Sequence, residues 1–395
     1  MKQQGTITTL VVIIAVAATV AALTGIFSSG GPGPQTHETF RGTEVTLYGR
    51  GIYRHMSADV AIQGIGQDVV TVGIAVPLLL LALFRARGGV RGERSVPGPA
   101  GVGARRSARG AAGAVARDGS RSGNGRSDAR PRLVLAGVLL YLLVTYTFYL
   151  AMATYNALFL VYALLMGCSF FALALVLLDV GREMATGGGE AQDVNREGAA
   201  QGAEATTHGR GAAHGVAEPT HGRGVTDGET GAAPGESRGA PAAAASGAPT
   251  PTSASTARLV LRAPGSRRLW GAVLIANAAL IGLLWLSVVV PPLVDGTVYP
   301  AAVQHYTTLI VQGFDLGLLL PASVVIGVLL RRGTPMGLLF GPVYLVFLSL
   351  IMTALIAKLI AMELNGVPTA PAIFIIPVIA VVAITGAVRM LPRRS

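Results

Sequence analysis

The sequence predicts an all-α integral membrane protein of about eight transmembrane helices, and three observations predict it. Apolar runs long enough to cross a bilayer recur eight times, charge is concentrated between them, and two of the runs carry similar polar residues in the same order. Of the 395 residues, 51% are hydrophobic and 13% charged, where a soluble domain carries about 25% charge. That balance argues against a water-soluble enzyme. The single cysteine excludes a disulfide framework and CxxC-type metal sites.

A hydrocarbon core of roughly 30 Å needs about 20 apolar residues in helix. Runs of this kind occupy residues 6–27, 63–84, 133–154, 157–178, 269–290, 308–330, 336–360 and 370–388. The first follows Lys2 and is longer than the apolar region of a secretory signal, with no A-x-A site after it, so an uncleaved anchor is expected. Residues 1–84 thus hold helices one and two around an extracytoplasmic loop at 28–62. The third and fourth runs are separated only by a tight turn at Tyr155 and Asn156. Residues 269–395 carry the last four spans.

Between these blocks, residues 85–132 and 179–268 contain no Phe, Tyr or Trp and are rich in Gly, Ala, Arg, Ser and Pro. Such segments bury too little apolar surface to offset the entropy of ordering, and two disordered linkers are expected. The second repeats Thr207-His208-Gly209-Arg210-Gly211 as Thr220-His221-Gly222-Arg223-Gly224, with His214 between. Glycine-flanked histidines lack the rigidity that fixes a metal geometry, so this reads as a duplicated low-complexity tract.

Lysine and arginine set the orientation. On alternating sides of the eight spans they fall 27 to one side, while Arg41, Arg50 and Arg54 fall to the other and Lys358 sits near a helix end. Both termini and both linkers are then cytoplasmic in a multi-pass protein of the cell membrane. The net charge of +11 is largely the first linker, whose twelve arginines against Glu93, Asp118 and Asp128 give +9. A polybasic segment beside a span is drawn to anionic lipid headgroups. Nucleic acid is not an expected partner, because no aromatic is interleaved for base stacking.

The halves resemble each other. Thr46-Leu47-Tyr48, His55, Gln63-Gly64, Asp68, Pro77 and Arg85 are matched by Thr297-Val298-Tyr299, His305, Gln312-Gly313, Asp315, Pro321 and Arg331, with small shifts. Gly137 and Tyr141 correspond to Gly341 and Tyr344. Two tandem four-helix halves in the same orientation follow, with helices two and six as natural partners. In the sixth helix His305, Thr308, Gln312 and Asp315 share a face, as do Asp59, Gln63, Gln67 and Thr71 in the second, with Asp68 alongside. At 1.5 Å per residue, Asp68 stands about 26 Å from Arg85, and Asp315 about 24 Å from Arg331, just inside the outer boundary. Lys358 lies about 36 Å along its helix from Thr334, far enough to snorkel to outer headgroups.

An intramembrane carboxylate is by default a functional hypothesis. The candidate binding residues are therefore Gln63, Gln67, Asp68, Gln312 and Asp315, with His55 and His305 above them. If a metal is held at all, His55, His305, Asp68 and Asp315 would supply a two-nitrogen, two-oxygen set. No cofactor is expected, and no Walker A, GxSxG or HExxH pattern occurs in the spans. The leading expectation is a transporter or ligand-binding membrane protein taking an ion or small molecule between helices two and six. The alternatives are a non-catalytic assembly or sensory protein whose linkers meet partners, and a membrane-embedded enzyme acting at the outer leaflet. Substrate, process and oligomeric state are not encoded in any motif.

Overall fold

A computed structural model describes residues 2–91, 129–208 and 264–392. It contains eight helices long and apolar enough to cross a membrane. The first is α1 (Lys2–Phe27). The second span is α2 (Ala58–Val70), a π-helical turn Thr71–Ala75, and α3 (Val76–Arg91). Spans three and four are α4 (Ala129–Met152) and α5 (Phe159–His208). Span five is α6 (Pro264–Val294). The sixth span is α7 (Ile310–Phe314), a second π turn Asp315–Leu319, and α8 (Leu320–Arg332). Spans seven and eight are α9 (Pro335–Leu364) and α10 (Ala372–Met390).

Local signals explain several boundaries. Asn156 Oδ1 accepts from Leu158 N at 2.9 Å, starting α5 at the expected tight turn. Gly333, with φ of 71°, ends α8 in the left-handed conformation. Thr334 then caps α9 through Gly337 N, and Pro335 occupies the first helical position.

Three features depart from the sequence reading. The loop 28–62 is not irregular: β1 (Gln35–Glu38) and β2 (Glu44–Leu47) form an antiparallel hairpin, so the architecture is not purely helical. Helix α5 continues to His208, beyond the expected end of its span at residue 178 and into the linker expected to be disordered. Both the second and sixth spans contain a π turn, and each turn is followed in second position by a proline, Pro77 or Pro321. The rest of the first linker, the second linker beyond His208 with its repeated histidine tract, and Arg393 and Arg394 lie outside the described residues.

The core gathers around α9. It packs against α2, α4, α8 and α10. Leu135, Leu139, Leu142 and Leu345 are fully buried there. A Cβ on Gly137 would meet Val346 at 2.5 Å, so only glycine allows α4 and α9 this approach. At the arginine-rich end, Arg132 pairs with Asp179 at 3.2 Å and Glu183 at 2.6 Å, tying the start of α4 to α5. Many apolar side chains of α1, α5, α6 and α10 remain exposed on the outer faces, as lipid-facing helices require.

Candidate functional site

The chain reaches the site through the loop before α2. Ser28 Oγ accepts from Ile52 N at 2.9 Å, and Gly30 O accepts from Gly51 N at 2.7 Å, pinning the 3-10 turn Gly51–Tyr53 to the end of α1. Gly51 has φ of 57° and a Cβ there would overlap Ser28 O, so the turn needs glycine. This geometry swings Tyr53 inward to 1% exposure.

Asp68 is 2% exposed. Tyr53 Oη donates to its Oδ2 at 2.6 Å, and Tyr149 Oη donates to its Oδ1 at 2.9 Å. Gly25 makes the approach possible, since a Cβ there would overlap Asp68 Oδ2. Gly64 lies flat against the Tyr53 ring, at 3.3 Å from the position its own Cβ would take. Burial, then the adjacent carboxylate, pushes the Tyr53 phenol well up, so it stays a proton donor.

Gln67 projects beside Asp68. Its Nε2 donates to Tyr141 Oη at 2.6 Å and to Thr145 Oγ1 at 3.2 Å. Its Oε1 and the Tyr146 Oη are buried without a hydrogen-bond partner. Tyr146, Tyr149 and Tyr162 stack around this point with centroids 5.2–5.9 Å apart. The carbonyl of Gln67 at the π turn accepts from both the backbone N–H of Thr71 and its Oγ1, the latter at 3.0 Å.

Asp315 occupies the first position of the second π turn and is half-buried. Trp285 Nε1 on α6 donates to its Oδ2 at 2.8 Å. Tyr344 Oη on α9 donates to Leu319 O at the end of that turn, at 2.7 Å.

Lys358, on α9, is half-buried. A Cβ on Gly66 would meet Lys358 Cα at 2.9 Å, so α2 and α9 are in close contact at this level. Spans two and six each pack on α9, which therefore stands as their shared neighbour. Gln63 and Gln312 are half-buried on the same helices.

The histidines lie elsewhere. His55 is exposed and its Nε2 accepts from Arg54 Nε at 3.0 Å. His305 Nε2 lies 3.2 Å from His55 O, and its ring meets His37 edge-on at 6.3 Å. Arg41, at the hairpin tip, donates to the carbonyls of Gln304, Tyr306 and Thr307. Its guanidinium also stacks on Phe40 and Tyr299. Among the described residues, no three His, Cys, Asp or Glu side chains gather closely enough to hold a metal, so the imagined four-residue set is dispersed.

Tyr53 is the residue that sequence reasoning missed, because it sits in a loop, off any helical periodicity.

The class that fold and site define is a protein with eight membrane-length apolar helices among the described residues and a buried, tyrosine-bonded carboxylate, Asp68, in the second span. Comparison with protein families, with curated proteins and with solved structures finds no match.

Proposed function

We propose that the chain is an ion-coupled transporter or ligand-binding protein of the membrane, with Lys358 as the shared partner of Asp68 and Asp315. The observation that carries this reading is a carboxylate on each of spans two and six, Asp68 buried and Asp315 half-buried, on helices that both pack against α9, which bears the half-buried Lys358. Two carboxylates against one ammonium leave a net charge of −1 when all are ionised. Uptake of one proton or one monovalent cation neutralises it, which is a basis for coupling to an ion gradient.

The proposal includes two tandem halves in one orientation, with both termini cytoplasmic, and local geometry supports two related halves, in a register that replaces the sequence correspondence of Asp68 with Asp315. The 3-10 turns Gly51–Tyr53 and Ala301–Val303 are each followed two residues later by a histidine, His55 or His305. Each half then has its π turn and proline. Counted from those prolines, Asp68 falls opposite Gln312, each nine residues before, and Thr71 opposite Asp315, each six before. The two carboxylates are thus offset by about one turn, so each half supplies two polar positions and uses a different one for its acid.

The closed packing of Asp68 favours a second reading. Its two tyrosine donors leave little of it exposed, which suits a sensory or assembly protein whose centre locks helices together. One experiment separates the two. The full chain is reconstituted in liposomes enclosing a pH-sensitive dye, and its unfolding is followed against pH and monovalent cations at constant ionic strength. A transporter or ion-binding protein shows ion movement or ion-dependent stabilisation that disappears in Asp315→Asn and Lys358→Met. Wild type and both variants behaving alike rejects the proposal.

A further inference from the structure

Four arginines from two distant segments converge at the arginine-rich end of spans five and six. Arg267 and Arg268 open α6, and Arg331 and Arg332 close α8. What brings them together is a glycine crossing. A Cβ on Gly271 would meet Gly327 O at 2.5 Å, and one on Gly327 would meet Gly271 O at 2.7 Å, so the helix backbones touch one turn inside the arginines. Arg267 Nη1 reaches within 2.7 Å of the Cβ position of Gly333, in the turn after α8.

Arg268, Arg331, Arg332 and Val328 line a concavity of about 410 Å³. Among the described residues none of the four arginines has an ion-pair partner; the ion pairs there belong to Arg132. Four guanidiniums in one place repel one another, and an uncompensated cluster of this kind is stabilised by a polyanion. Guanidinium forks match phosphate oxygens in bidentate geometry.

The neighbouring surface identifies which phosphate. Leu269, Leu280, Leu283 and Leu284 on α6, and Val324 and Val325 on α8, are exposed along the same two helices. A cationic concavity at the head of an apolar two-helix surface is amphipathic in the sense of a phospholipid, with headgroup at one end and acyl chains along the other. We infer that Arg267, Arg268, Arg331 and Arg332 form a binding site for the phosphate headgroup of an anionic phospholipid whose chains lie on α6 and α8. The site uses none of the arginines that follow α3 in sequence, and it stands whether or not the buried centre carries ions.

The test uses the full chain in nanodiscs of zwitterionic lipid with a minor fraction of a diphosphate phospholipid, and counts retained lipid by native mass spectrometry. The paired variants Arg331→Gln/Arg332→Gln and Arg267→Gln/Arg268→Gln are compared with Arg389→Gln, a basic residue outside the cluster. At about 1 kcal/mol per arginine, each pair should weaken retention roughly thirty-fold, while Arg389→Gln leaves it unchanged. Unfolding midpoints in purely zwitterionic discs should be no lower for the paired variants than for wild type, which separates lost binding from lost folding. Equal retention in wild type and paired variants overturns the site. So does stabilisation of the wild type in detergent by inorganic phosphate as large as that given by the lipid, which would make it a free-anion site.

Discussion

Tyr53, carried on a loop turn, donates to Asp68 Oδ2 on the second span at 2.6 Å, with no helical register linking the two. The bond fastens the extramembrane loop to a buried carboxylate through a slot made by Gly25 and Gly64. The loop and the buried carboxylate are therefore one mechanical unit.

Tyr53→Phe removes one of the two phenol donors of Asp68. Leaving a buried carboxylate short of a donor costs about 1–3 kcal/mol. Unfolding of the variant in mixed micelles should show a loss of that size, and Tyr149→Phe should show a similar one. Burial alone, without the bonds, would give values near zero for both.

Gly25→Val places a side chain onto Asp68 Oδ2, whereas Gly5, on the same helix, has nothing within 4 Å of its Cβ position. Overpacking of this kind costs about 1–3 kcal/mol. The expectation is a clear drop in midpoint for Gly25→Val and none for Gly5→Ala. Equal effects would deny the close approach of α1 to the centre.

Arg41→Ala should release the hairpin from residues 304–307 without disturbing the helices. Limited proteolysis is expected to cut between β1 and β2 several-fold faster, with the unfolding midpoint nearly unchanged. Arg41→Lys should restore little, because an ammonium cannot reproduce a planar fork holding three carbonyls or its stacking on Phe40 and Tyr299.

The same contact carries a pH dependence. Burial holds the His305 ring below the ordinary histidine range; the His55 carbonyl opposes this and His37 adds to it. A depressed histidine favours the neutral form in the folded state. Its contribution is therefore complete above about pH 6.5, the ordinary histidine value, and is lost as the pH falls below it. His305 faces His37, the His55 carbonyl and the Tyr306 ring at 4.2 Å. Accessibility of a cysteine placed at Thr307 should rise on acidification, and His305→Gln should flatten that response.

The eight spans were legible because bilayer thickness imposes length and apolarity directly on sequence. Asp68 and Asp315 were legible for the same reason, as carboxylates in otherwise apolar runs. The π turns were not, although Pro77 and Pro321 stand just beyond them. A proline perturbs the hydrogen bonds of the preceding turn, but its sequence position does not say whether the helix kinks or bulges. The hairpin was missed because strands of four residues, Gln35–Glu38 and Glu44–Leu47, give too short an alternation to separate from a polar loop. The close approach of α9 to Gly66 is a tertiary fact outside any axial count.

The central claim is that Lys358 serves both carboxylates, and a double-mutant cycle tests it most directly. Lys358→Met is made in wild type, in Asp68→Asn and in Asp315→Asn, and unfolding is measured in mixed micelles at one pH. The cost of Lys358→Met should differ from its wild-type value in each Asn background by more than about 0.5 kcal/mol, the level expected of independent sites. The same cost in all three backgrounds would contradict the account.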